Sequence, residues 1–96
     1  MKFRKKPEII EAFQMTKDRR WDNTEWPNWL NRAWQKEPSE GAIWIDPDDT
    51  NREMLVCGTL EGVYRVMWDD WIIQGANGEI RPCKPDMFKE TYESID

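Results

Sequence analysis

The stretch from residue 54 to residue 83, MLVCGTLEGVYRVMWDDWIIQGANGEIRPC, decides the fold, because it holds four segments rich in strand-forming residues at close spacing. These segments are MLVCGTL (54–60), VYRVMW (63–68), WIIQG (71–75) and EIRPC (79–83). Short turn-forming dipeptides lie between them: Glu61-Gly62, Asp69-Asp70 and Asn77-Gly78. The stretch therefore predicts antiparallel strands connected by tight hairpins.

The Asn77-Gly78 dipeptide is the strongest turn signal in this stretch, because both residue types tolerate the positive φ of a type I′ turn. Pro82 follows in the returning strand and has no N–H group to donate to a neighbouring strand. The segment 79–83 is therefore predicted to lie at an edge of the sheet.

Two further strands are predicted upstream of this stretch. EIIEAFQM (8–15) is rich in strand formers but alternates imperfectly, as expected of a strand that is covered on both faces over part of its length. AIWID (42–46) is a second short strand. The acidic segment that follows it, PDDTNRE (47–53), has strong turn chemistry and is predicted to be a loop.

The segment TEWPNWLNRAWQKE (24–37) predicts a helix that packs against the core. Its apolar residues recur at spacings of three and four, and Asn23 or Thr24 offers a side-chain oxygen for the N-cap. The stripe consists of Trp26, Trp29, Leu30, Ala33 and Trp34. A second, short helix is predicted over MFKETYE (87–93), with Asp86 as its cap. The fold class expected is α+β, a small antiparallel sheet or partial barrel with one Trp-rich helix and a short C-terminal helix.

The length of 96 residues predicts a single domain, 1–96, with a modest core. Seven Trp, three Phe and two Tyr favour a folded globule, although charged residues make up 34% of the chain. The formal net charge is −5, and Lys2, Arg4, Lys5 and Lys6 lie in the first six residues. Without those four, 10 basic residues face 19 acidic ones, a balance of −9. Binding of nucleic acid over a broad surface is therefore not expected.

Targeting signals and cysteine usage predict a soluble, cytoplasmic protein without a membrane partner. The basic start is followed by Glu8 and Glu11, which interrupt the apolar run of a signal peptide, and no window has the roughly 20 apolar residues of a spanning helix. Cys57 and Cys83 are far apart and show no CxxC spacing. Free thiols are therefore expected in a reducing compartment.

The missing residue types exclude several kinds of chemistry. The chain has no His, which excludes Ser-His-Asp and Cys-His catalysis and imidazole-based zinc sites, and it lacks the usual phosphate-binding glycine loops. The carboxylates of residues 46–49 and 69–70 are interpreted as solvated turns. Cys83 lies between two cations that would lower its thiol pKa, but no base is evident beside it. No catalytic residue, metal or cofactor is expected.

Three tryptophans at predicted loop or turn edges, Trp21, Trp68 and Trp71, are candidates for an interface anchor. Arg81 and Lys84 flank the cysteine of the edge strand, and none of the predicted turn, strand and helix roles requires them. We expect both side chains to reach solvent. Trp71, Arg81 and Lys84 are therefore the predicted binding site for an anionic ligand or for an acidic patch on a protein partner.

The two ends of the chain resemble a family of small proteins encoded by tailed phages and prophages. The likeness lies in MKFRKKPEIIEAFQ (1–14) and in TLEGVYRV (59–66) with DDWIIQGANGEIRPCKPDMFKETYE (69–93), and it covers about the first 15 and last 38 residues. Family members pair an MKFRKKP-type start with a PGDWII-x-G-x-x-GE-x-YPCKPD-x-F-x-x-TYE ending. This chain departs from the pattern at Trp68-Asp69-Asp70, where Pro-Gly-Asp is usual, and at Arg81, where an aromatic is usual. The resemblance implies a phage setting and a shared fold but no activity.

Two functions follow from these observations. The first is a nonenzymatic phage or prophage accessory protein that binds a host protein or a small anionic molecule. The alternative is a small nucleotide- or RNA-handling module, or an enzyme, that uses Arg81, Lys84 and nearby carboxylates. A deep pocket around Trp71, Arg81 and Lys84 would favour a small ligand, whereas a flat exposed apolar patch would favour a protein partner.

Overall fold

The computed structural model describes residues 1–4 and 7–95 and has an α+β fold, as predicted. Two three-stranded antiparallel sheets have the strand orders β1-β5-β6 and β2-β3-β4. Strand β6 contacts β3 and β4 of the other sheet. The elements are β1 (Glu11–Gln14), α1 (Lys17–Trp21), α2 (Asn28–Ala33), β2 (Ile43–Ile45), β3 (Leu55–Thr59), β4 (Gly62–Val66), β5 (Trp71–Gln74), β6 (Ile80–Cys83) and α3 (Pro85–Thr91), with 3-10 turns at Asn23–Glu25 and Pro38–Glu40.

The connection between β4 and β5 is a corner between the two sheets, and the predicted hairpin at Asp69-Asp70 is therefore wrong. Strand β1 takes the place beside β5 that β4 would occupy in a hairpin, with Phe13 opposite Ile72. Two backbone hydrogen bonds join Met15 to the corner. The Met15 N–H donates to the Asp70 carbonyl at 2.9 Å, and the Met15 carbonyl accepts from the Asp69 N–H at 2.8 Å. Asp69 has a φ of +72°, a conformation that glycine adopts more easily.

The hairpin between β3 and β4 is tight, as predicted. Thr59 and Gly62 are directly paired, which leaves a loop of Leu60 and Glu61 only. The Thr59 hydroxyl accepts from the Glu61 N–H and donates to the Gly62 carbonyl, and Gly62 has a φ of +137° that side chains rarely allow. The glycine and the threonine together close this turn.

The hairpin between β5 and β6 uses a wider turn than the two-residue type I′ turn predicted at Asn77-Gly78. The Gly78 N–H donates to the Gly75 carbonyl, and the Gly75 N–H donates to the Glu79 carbonyl. Only Gly78 has positive φ here, at +85°. This arrangement, a turn followed by one left-handed glycine, is a common three-residue hairpin loop. Strand β6 lies at the edge of its sheet and contains Pro82, as predicted.

Helix α2 is shorter than the predicted helix and begins at Asn28. Trp26 precedes a proline, which disfavours the helical conformation, and its ψ is 129°. Asn23 and Thr24 belong to a 3-10 turn that the Asp22 side chain caps. The apolar stripe still packs inward. Trp26, Leu30 and Ala33 are buried in the core cluster, and Trp29 is partly buried against it. Trp34 is 36% exposed, so its predicted place in the core is wrong, although its ring stacks on that of Trp26.

Helix α1 was not predicted, because its sequence, KDRRW, carries no apolar stripe. The Thr16 side chain caps it by accepting from the Arg19 N–H. Arg20 is buried, donates to the carbonyls of Arg52 and Glu53, and lies 4.6 Å from the ring centre of Trp21. Trp21 itself is 60% exposed, which agrees with its predicted place at an element edge.

Asp46 and Asp49 in the loop between β2 and β3 accept hydrogen bonds from protein groups, whereas the sequence predicted solvated carboxylates here. Asp46 is buried and accepts from Arg65 of β4, and this hydrogen bond is the main reason that its pKa lies below the usual value. The Asp49 side chain accepts from the N–H groups of Asn51, Glu53 and Met54, which likewise lowers its pKa. Backbone groups that the loop leaves unpaired are thus satisfied by the loop's own side chains.

Strand β3 passes very close to the chain segment that precedes β2. A Cβ atom built on Gly58 would overlap the carbonyl oxygen of Pro38, in the 3-10 turn Pro38–Glu40. The Gly58 N–H also donates to the Ala42 carbonyl at 2.9 Å. Only glycine allows the two backbones to approach this closely.

We therefore expect Gly58→Ala to destabilise the protein by roughly 1–3 kcal/mol, because the backbone must shift to admit the methyl group. For a domain of this size each kcal/mol corresponds to about 4–8 °C in melting temperature, measurable by circular dichroism. Glu90→Ala, at an exposed position of α3, serves as the control and should change stability by less than about 0.5 kcal/mol. Equal melting of both variants would show that the Pro38 contact is not tight.

Candidate functional site

The three predicted site residues lie on or beside one face of the β1-β5-β6 sheet. Trp71 is paired with Cys83, and Ile73 with Arg81. Because side chains alternate along a strand, these four residues share the face opposite Ile72, a member of the core cluster. Helix α3 covers this face, which we call the α3 face and define by Trp71, Arg81, Lys84, Phe88 and Tyr92.

Aromatic rings attach α3 to the sheet. The rings of Trp71 and Phe88 stack with their centroids 4.0 Å apart and their planes 6° apart. Phe88 and Tyr92 follow at 5.2 Å in a tilted arrangement, one helical turn apart. Trp71 is half-buried as a result, and one of its ring faces is covered. The Trp71 ring therefore holds α3 against the sheet.

Arg81 is exposed but held in place. Its Nη2 donates to the Tyr92 hydroxyl at 2.7 Å, which joins β6 to the end of α3. The tyrosine oxygen is the only hydrogen-bond partner of this guanidinium within the described residues. The other N–H groups of the guanidinium can form a planar, bidentate contact with a carboxylate or a phosphate.

Lys84 has a structural role that the sequence did not indicate. Its Nζ lies 3.2 Å and 3.3 Å from the two carboxylate oxygens of Asp70, which is only 2% exposed. Asp70 also accepts from the Met67 N–H at 2.9 Å. The interpretation of Asp70 as a solvated turn residue is therefore wrong, because the corner between the sheets buries it. The Lys84 side chain remains more than half exposed.

Helix α3 begins differently from the prediction. Lys84 occupies the N-cap position, Pro85 is the first helical residue, and no side chain in residues 1–4 and 7–95 caps the helix. Asp86 lies in the first turn and accepts from the N–H of its neighbour Met87. Proline is well suited to this first position because its fixed φ is helical and its missing N–H is not needed there.

The two cysteines are free thiols, as predicted. Burial raises the pKa of Cys57 to about 12. Burial also raises the pKa of Cys83, and the opposing effect of Arg81 is smaller. The expectation that the flanking cations lower the pKa of Cys83 is therefore wrong, since desolvation of the thiolate dominates.

A cleft of about 290 Å³ lies next to the α3 face and shares Arg81 with it. It opens between the β3–β4 turn and strand β6, and Trp71 and Lys84 do not line it. Leu60 and Tyr64 form its most exposed apolar wall. The sequence offered one signal for it, a leucine in a two-residue turn, where polar residues are usual.

Comparison of the chain with known protein families, curated proteins and solved structures gives no match. In the part of the chain that the structure describes, no three His, Cys, Asp or Glu side chains are grouped so that they could hold a metal ion. None of the helices in residues 1–4 and 7–95 has the length and apolar character needed to cross a membrane.

We expect Lys84→Ala to lower the free energy of unfolding by about 1 kcal/mol, because the buried Asp70 carboxylate would lose its cation. The loss is modest because the Lys84 side chain is exposed, so that water can enter the space that it leaves. Thermal melting measures the loss. Lys89→Ala removes the same charge from an exposed position of α3 and should melt within about 0.5 kcal/mol of the parent protein. If the two variants melt alike, the Lys84–Asp70 pair does not stabilise the corner.

Proposed function

We propose that this chain is a nonenzymatic accessory protein of a phage or prophage and that it binds an acidic patch on a host protein through the α3 face. The observation that carries the proposal is the Arg81 guanidinium, exposed at the surface and anchored by Tyr92 at 2.7 Å. A cation that is already fixed loses little conformational freedom when a carboxylate binds it.

A protein partner is favoured over a small molecule by the shape of this region. Of Trp71, Arg81 and Lys84, the adjoining cleft is lined by Arg81 alone. Met87 of α3 is also exposed, so that this region offers a partner an apolar side chain in addition to the cations Arg81 and Lys84. An open surface of this kind suits a protein better than a small anion, which needs a concave site.

The binding role is favoured over catalysis by the chemistry of the α3 face. The chain has no His to act as a general base, and burial raises the pKa of the Cys83 thiol, which disfavours a reactive thiolate.

The phage setting rests on the resemblance of the chain ends. In that pattern an aromatic residue is usual at position 81, whereas this chain has an arginine that contacts Tyr92. The contact that Arg81 makes with a partner would then be specific to this chain and not shared by the whole family.

The test compares Arg81→Gln with the matched control Lys89→Gln, since both remove one exposed positive charge and Lys89 is not one of the residues that define the α3 face. Each protein is used as bait in a quantitative pull-down from host lysate at low and at moderate salt, and each melting curve is recorded. Mass spectrometry reads both proteins and small metabolites.

We expect Arg81→Gln to weaken capture of the partner by roughly tenfold or more and Lys89→Gln to weaken it far less, with both variants folded. Added salt should reduce capture by the parent protein, because exposed charge pairs are screened. Capture that is equal for both variants would contradict the proposal. Capture of a nucleotide or RNA in place of a protein would support the alternative function.

A further inference from the structure

Large apolar side chains are exposed at one end of the molecule, outside the α3 face. Glu11, the first residue of β1, is paired with Gln74, which is also paired with Ile80. The chain segment that precedes β1 therefore leaves the sheet at the same end as the turn between β5 and β6. The cleft lies at this end too, because Glu79 and Ile80 line it together with the β3–β4 turn.

The cleft combines an apolar wall with an acidic rim. Leu60 is 94% exposed, and Tyr64 and Pro82 continue the apolar surface beside it. Glu61 and Glu79 contribute two carboxylates, whereas Arg81 is the only cation among its lining residues. An occupant that offers apolar side chains together with positive charge would match this surface.

The segment before β1 has those properties. We call residues 1–4 and 7–10 the basic segment. Phe3 is 87% exposed and Ile9 is 79% exposed, and neither has a covering element within the described residues. Lys2 and Arg4 flank Phe3, so that an apolar side chain is carried between two cations. The rest of the chain is strongly acidic, and the two surfaces therefore attract each other.

We propose that the cleft of one copy binds the basic segment of a second copy, and that the exchange is reciprocal. Phe3 of one copy packs against Leu60 and Tyr64 of the other, while Lys2 and Arg4 face Glu61 and Glu79. The occupant is a second copy rather than the same chain, because Phe3 and Leu60 are both exposed within one chain. A two-fold arrangement covers both apolar surfaces at once.

This inference does not depend on the proposed function, because it uses neither Trp71 nor Lys84 and concerns the opposite wall of the cleft from the α3 face. The two surfaces meet at Arg81 alone. Variants at Phe3 and Leu60 therefore test self-association without touching the residues that the host partner is expected to contact.

The experiment is sedimentation velocity of the whole chain over a wide concentration range at low salt. The parent protein should pass from monomer to dimer as concentration rises. Leu60→Asp should weaken the dimer by roughly tenfold or more, because it places a charge against Phe3. Ile95→Ser is the control, since it removes another exposed apolar side chain, which belongs to neither surface. Higher salt should also weaken the dimer.

A mixing experiment shows whether the two surfaces bind each other. The double variant Phe3→Ser with Ile9→Ser keeps the cleft, and Leu60→Asp keeps the basic segment. Each variant alone should stay monomeric, whereas an equimolar mixture should form a mixed dimer through the one intact contact. A parent protein that is monomeric at all concentrations would overturn the proposal, as would a dimer that the Leu60 variant leaves unchanged.

Discussion

The buried carboxylate of Asp70 is the interaction on which the arrangement of the two sheets depends. Four segments meet at this residue. Its side chain accepts from Met67 at the end of β4 and pairs with Lys84 after β6, while its backbone carbonyl accepts from Met15 after β1. Asp70 itself leads directly into β5. A charge buried to this degree is tolerated only with such partners, and the partners are thereby held together.

The same corner determines where the α3 face lies. Lys84 is both the partner of Asp70 and the residue at the N-cap position of α3, so that the ion pair lies at the start of the helix. Trp71 follows Asp70 and stacks on Phe88, which sets the direction in which α3 crosses the sheet. Arg81 then meets Tyr92 one helical turn further on. The positions of the exposed cations are thus consequences of the fold rather than independent surface features.

Local patterns were sufficient to predict the strands, the tight β3–β4 turn and the apolar stripe of α2, because these depend on neighbouring residues. The corner at Asp69-Asp70 was beyond such patterns, since a hairpin and a corner differ only in whether β4 or β1 pairs with β5. In the candidate site, too, some features follow from neighbouring residues and others depend on tertiary contacts. Its edge strand and exposed Arg81 were predictable, whereas the Asp70 and Tyr92 partners lie 14 and 11 residues from their cations and required the tertiary structure.

The most direct test of the central role of Asp70 is amide hydrogen exchange of the whole chain, measured by NMR for the parent protein and for Asp70→Asn. Asparagine keeps the size of the side chain but loses the charge that Lys84 and the Met67 N–H contact. We expect the amides of Met15 and Asp69 and those of β1, β4 and β5 to lose protection together in the variant, because the corner joins both sheets. Unchanged protection in these strands, with exchange altered only at Met67, would contradict this account.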